Sequence, residues 1–173
     1  MPPAIAAKFD EPVNVTAAIT AIIGGVIQVD SLAIQSKTLT AEGKAALSAG
    51  QQLSASLTGS LPDLGKLLTD AKGTARFDLT ASGPLNAPTV KASLAADRAE
   101  LAGRALTGLT LTADALADAD APQATVKASG SLGGQAIDVG AHLATTDGKV
   151  ALDRLNAVIG RNRIEGALAF TPA

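Results

Sequence analysis

Cysteine, tryptophan and tyrosine are absent from this 173-residue chain, which has three phenylalanines and a single histidine. Without cysteine there is no disulfide, no thiol nucleophile and no thiolate metal site. One histidine cannot build a multi-histidine metal centre. Aromatic residues normally supply most of the buried area in cores and interfaces. At 2% of the chain they leave thin, low-volume packing, although hydrophobic residues total 47%. Charge is also sparse and balanced, with 14 basic against 16 acidic residues. Nothing resembles the basic, aromatic-interleaved surface of a nucleic-acid binder.

Long hydrophobic runs are missing too. The most apolar stretch, Val13–Ile27, carries Asn14, Thr16, Thr20 and the Gly24-Gly25 pair. It is shorter than the ~20 residues a spanning helix needs, and its β-branched content favours strands. The first residues, MPPAIAAKFDEP, show no basic region followed by an apolar core. We therefore expect an internal piece of a longer protein if the chain works outside the cytoplasm.

Motifs that carry chemistry are equally scarce. The sequence contains no G-x-S-x-G, no Walker A and no G-x-G-x-x-G. His142 is out of phase with Val139, Ala141 and Leu143 and should face solvent. Asp114, Asp118 and Asp120 lack the spacing of a calcium loop and read as a solvated turn. Arg154, Arg161 and Arg163 read as a charged hairpin edge. Asn14-Val15-Thr16 matches a glycosylation sequon, a pattern too short to be specific. The expectation is a non-enzyme with no catalytic or metal-binding residues, no cofactor and no nucleic-acid partner.

What is present is alternation. Ala75, Phe77, Leu79 and Ala81 fall on one face of a run, with Arg76, Asp78, Thr80 and Ser82 on the other. Side chains in a strand alternate faces with period two, so each such run is a strand with one apolar face. By this rule the apolar positions include Phe77, Leu79, Val90, Leu94, Leu109, Leu111, Val126, Leu132, Ile137, Val139, Leu143, Val150, Leu152, Ile164, Leu168 and Phe170. Turn residues divide the chain into eleven strands. They are Val13–Ile23, Val26–Gln35, Leu39–Leu47, Gln52–Gly59, Thr74–Ser82, Thr89–Ala96, Arg104–Leu116, Gln123–Leu132, Gln135–Thr145, Lys149–Ile159 and Arg161–Phe170. Gly24-Gly25, Gly133-Gly134 and Asp147-Gly148 mark tight turns, with another at Gly160, and Gly43 a bulge.

One segment has a different period. Pro62, Leu64, Leu67, Leu68 and Ala71 recur at helical spacing, with Ser60 as N-cap and Gly73 beyond the end. A short helix over 60–72 would divide one domain, 1–173, into N-terminal strands (1–59) and C-terminal strands (73–173). The fold class is all-β and mainly antiparallel: a curled, elongated sheet forming a hydrophobic trough, or alternatively a β-sandwich. Composition leaves a groove for acyl chains and a sealed core equally open. A groove would gain about 0.8 kcal/mol per buried methylene, on the order of 10 kcal/mol for a dozen before entropy.

Thr80–Leu94 reads TASGPLNAPTVKASL, and TVKAS recurs at Thr125–Ser129. The first segment resembles the repeat of TamB-type proteins, of the form strand, S-G-P-L, short turn, P-x-V-x-A-x-L. Glu100–Ala113 resembles the family's next hairpin, Ala128–Gln135 and Ala151–Leu155 continue the order, and Ile159–Leu168 resembles its G-x-N-R-I-x-G-x-L hairpin. The match covers Leu53–Phe170, and the order of motifs is more specific than any one of them. TamB-like proteins belong to the AsmA group of Gram-negative envelopes. The resemblance implies a β-taco-like trough in the periplasm, anchored in the inner membrane through the longer protein. It implies an outer-membrane barrel partner of the TamA type, phospholipid transport between membranes, and autotransporter or outer-membrane protein assembly. The sixteen apolar positions named above would then line a groove for phospholipid or client. A structural module of an adhesin or secreted array is the alternative.

Overall fold

The computed structural model describes residues 12–22, 25–118, 120–146 and 149–170. Twelve strands form one sheet: β1 (Asn14–Ile22), β2 (Val26–Gln35), β3 (Thr40–Leu47), β4 (Gln52–Leu61), β5 (Ala71–Gly73), β6 (Ala75–Pro84), β7 (Thr89–Leu101), β8 (Arg104–Leu116), β9 (Gln123–Leu132), β10 (Gln135–Thr146), β11 (Lys149–Ile159) and β12 (Asn162–Phe170). The order across the sheet follows the order in sequence, and β5 stands beside β7 in line with β6. Every pairing is antiparallel, as expected of strands joined by short hairpins. The sheet is open and curled. No second sheet faces it among the described residues, so the sandwich alternative is not what forms.

The expected helix over 60–72 is corrected. Ser60 and Leu61 belong to β4, and a single 3-10 turn, Leu64–Lys66, occupies the middle. Its cap is Asp63, whose carboxylate accepts from the Gly65 N–H at 2.9 Å. Leu67 and Leu68 donate back to the Leu64 carbonyl, and Asp70 then turns left-handed at φ 65°. The chain re-enters the sheet as β5 at Ala71, opposite Leu101. Helical spacing of the leucines could not offset the cost of nucleating so short a helix around Gly65.

The end of one strand and the place of one bulge also differ. β7 runs five residues past Ala96 to meet Arg104 across the Ala102-Gly103 turn. Gly43 carries no bulge: β3 and β4 pair without a slip. The bulge lies in β2 instead, where one extra residue at Asp30-Ser31 shifts the register toward both neighbours. Gly133 and Gly134 do form the expected two-residue turn, with φ of 58° and 78°. The turns at Gly24 and at Asp147-Gly148 lie outside the described residues.

The buried hydrophobics are Ala41, Ala71, Ala75, Ala96 and Leu106. All lie in β3 to β8. Only Leu106 among them is large. The chain exposes 11220 Å², against roughly 7,800 Å² for a compact monomer of 17.1 kDa. This excess belongs to a single sheet with one layer and no opposing wall.

Candidate functional site

Hydrogen-bond register shows which side chains line up across the sheet. One row runs Val15, Ile34, Ala41, Gly59, Phe77, Leu94, Leu111, Ala128, Val139, Ala157 and Ile164. The next runs Ala17, Leu32, Gly43, Leu57, Leu79, Ala92, Ala113, Val126, Ala141, Leu155 and Gly166. The third runs Ile19, Val29, Ala45, Ala55, Ala81, Val90, Ala115, Ala124, Leu143, Leu152 and Leu168. Three rows cross all eleven sequential strands of the sheet path without one polar side chain. At ~4.8 Å between strands the stripe is about 48 Å long, and at ~6.7 Å between rows it is about 13 Å wide.

Two extra residues keep this stripe continuous. The slips at Asp30-Ser31 in β2 and at Asp153-Arg154 in β11 each restore the phase of the apolar positions. In β2, for example, Ile27 and Val29 hold odd positions but Leu32 and Ile34 hold even ones. A bulge converts that change of parity back into one face.

Fourteen of the sixteen expected groove residues have described side chains, and all fourteen lie on this face. Phe77, Leu79, Val90, Leu94, Leu111, Val126, Val139, Leu143, Leu152, Ile164 and Leu168 sit in the three rows. Leu109 stands opposite Ala96, Leu132 opposite Leu106, and Ile137 opposite Ile159. The side chains of Val150 and Phe170 fall outside the described residues. The sixteen positions read from alternation leave out the first four strands, whose Val15, Ile19, Val29, Leu32, Ile34 and Leu57 complete the rows. Their parity change at Asp30 was the readable signal.

The lining varies along its length. The Phe77 ring lies across Gly59, its Cζ 2.6 Å from where a Cβ on that glycine would stand. A glycine opposite an aromatic ring lets the ring cover backbone that would otherwise be bare. Beside the ring Leu79 is 36% exposed, and at the far margin Ile164 is 59% and Leu168 63%. A recess of about 190 Å³ on this face is lined by Val29, Leu32, Ala45, Ala55, Leu57 and Leu79.

The opposite face is polar, and some of its charged residues pair with one another. Lys72 and Glu100 meet at 3.0 Å, Arg163 and Glu165 at 2.9 Å, and His142 Nδ1 and Asp153 at 2.7 Å. Exposed pairs of this kind contribute little stability. A recess of about 580 Å³ lies here among Lys127, His142, Asp153, Arg154, Asn156 and Glu165. Asn156 Oδ1 is buried there without a hydrogen-bond partner. The recess is shallow and its His142 and Glu165 are already paired. The stripe, by contrast, leaves large aliphatic side chains exposed at Val15, Ile19, Leu79, Ile164 and Leu168, which makes it the stronger candidate.

The acidic loop residues do not converge. Asp114 lies in β8, 3.8 Å from Lys91. Asp118 accepts from the Asp120 N–H at 2.8 Å and the Ala121 N–H at 3.1 Å, and these bonds hold its carboxyl below the ordinary value. No group of three or more metal-ligating side chains occurs among the described residues. No described helix is long and apolar enough to cross a membrane. No family model matches the sequence, and no curated protein or solved structure matches it significantly.

Proposed function

We propose that the chain is a segment of a TamB-like, periplasm-spanning protein, and that its apolar stripe accommodates the acyl chains of phospholipid moving between two membranes. The observation that carries this reading is the run of three uninterrupted apolar rows across eleven strands. A sealed core would need an opposing layer, and a single sheet offers its aliphatic face to a ligand instead. The small lining residues Ala45, Ala55, Ala81, Ala115 and Ala124 leave room that larger side chains would fill. The order of hairpin motifs from Thr80 to Leu168 supports the same family, and with it a barrel partner of the TamA type reached through the longer protein. Binding comes from methylene burial, at about 0.8 kcal/mol each, and is insensitive to headgroup chemistry.

Native mass spectrometry of the chain purified from membranes tests the proposal. Bound phospholipid is the expected result. Val139→Glu should remove it, while Thr110→Glu on the polar face should leave it in place. Lipid-free protein, or equal retention in both variants, overturns the reading.

A further inference from the structure

We propose that Asp30 and Asp153 are register locks: each carboxylate, held by a side chain of the preceding strand, fixes the extra residue that keeps its part of the stripe in phase. The two places are built alike. In β2, Ser31 stands opposite Ala18 of β1 and Val29 opposite Ile19, so Asp30 is the unmatched residue. In β11, Arg154 stands opposite His142 of β10 and Leu152 opposite Leu143, so Asp153 is the unmatched residue. Toward the following strand two residues face one in both places, between Val29 and Leu32 and between Leu152 and Leu155. Each aspartate is bonded back across the sheet. The Thr20 hydroxyl of β1 donates to Asp30 Oδ2 at 2.7 Å, and Gln28 Nε2 donates to Oδ1. His142 Nδ1 of β10 lies 2.7 Å from Asp153 Oδ1. A carboxylate can only accept, so this nitrogen carries the hydrogen.

The backbone at these bulges supplies no lock of its own. One other register shift occurs among the described residues, between Thr107 and Thr110 of β8, and it holds Gly108 at φ 58°. A left-handed glycine is a standard way to fix a bulge. Neither Asp30-Ser31 nor Asp153-Arg154 contains a glycine or a positive φ. Expelling the extra residue of β11 would set Arg154, in place of Leu155, opposite Gly166. Arg154 would then enter the apolar face, and Leu155 and Ala157 would leave it. The tether from the neighbouring strand opposes that slip. Both kinks also open the polar face, as recesses of about 580 Å³ beside Asp153 and about 500 Å³ beside Asp30. The two aspartates are thus positioning residues, acting through the aliphatic side chains on the other face. The lock is independent of what occupies the stripe; only its effect on acyl chains rests on the lipid reading.

Cross-strand nuclear Overhauser contacts in the full chain read the register directly. In the unaltered protein Leu155 should meet Ala141 and Gly166. Asp153→Ala should add a set of contacts shifted by one residue, with Arg154 opposite Gly166. Asp153→Asn keeps an oxygen for the His142 N–H and should restore the original set. At the other bulge Thr20→Val removes only the hydroxyl, and should move Ala18 from Ser31 to Asp30. Circular dichroism checks that each variant keeps its sheet, and Thr20→Val carries the test should Asp153→Ala fail to fold. A pair that merely adds stability would weaken in Asp153→Ala without moving the register. That result overturns the proposal, as does a failure of Asp153→Asn to restore the original contacts. Uptake of a fluorescent phospholipid separates the two proposals. A shifted register with reduced uptake is expected; a shifted register with unchanged uptake keeps the lock and overturns the lipid reading.

Discussion

Ala96 and Leu168 share one face of one sheet, yet the first is 1% exposed and the second 63%. The same contrast separates Ala41 and Ala75, at 3% and 2%, from Val15 and Ile19, at 61% and 65%. Residues in β3 to β8 have neighbours on both flanks and a curled sheet around them. Among the described residues, β1 and β12 have a neighbour on one flank only. Small side chains are buried in the centre because curling brings backbone and neighbours close. Large ones stay exposed at the margins because nothing in the single layer reaches them. Burial in this fold therefore depends both on position across the sheet and on side-chain size: in β6 Ala75 is 2% exposed and Leu79 36%.

Breaking the centre should have the largest effect. Ala96→Asp places a carboxylate where no partner exists, and we expect a loss of at least about 3 kcal/mol in urea unfolding. Gly59→Val drives a side chain into the Phe77 ring and the Thr40 carbonyl, and should cost about 2 kcal/mol by the same assay. At the margin, Leu168→Asp should change stability by less than about 0.5 kcal/mol while sharply reducing uptake of a fluorescent lipid. A large loss of stability there would erase the distinction between centre and edge. The smallest effect is a gain. Ala102 holds φ 49° in the β7–β8 turn, beside Gly103 at 75°. Ala102→Asn supplies the residue this turn prefers and should raise the unfolding free energy by about 0.5 kcal/mol.

The strands were legible because alternation and turn residues agree over most of the chain. Gly133-Gly134 fixes one hairpin outright, and the runs from Gln123 to Thr145 keep a single parity from end to end. Legibility failed where parity changes or a local signal competes. The Leu64, Leu67, Leu68 spacing imitated a helix, but the segment is a tight return that β5 completes beside β7. Asp97-Arg98 looked like the end of a strand, yet β7 passes through it opposite Gly108. The apolar face of β2 was obscured by one inserted residue at Asp30. The fold class survived these errors because each is local, whereas the stripe emerges only when register joins residues from all the strands.

Each strand packs substantially against its sheet neighbours alone. Energetically the molecule is a one-dimensional array of hairpins, more like a solenoid than a globule. Its stability is a sum of nearest-neighbour terms, so β1 and β12 should fray before the centre melts. With so much surface already wet in the native state, unfolding uncovers comparatively little more. Denaturant slopes and heat-capacity increments should both fall below those of a compact domain of equal length. Contacts between sequential strands are also close in chain length, which favours rapid, progressive folding from any hairpin outward.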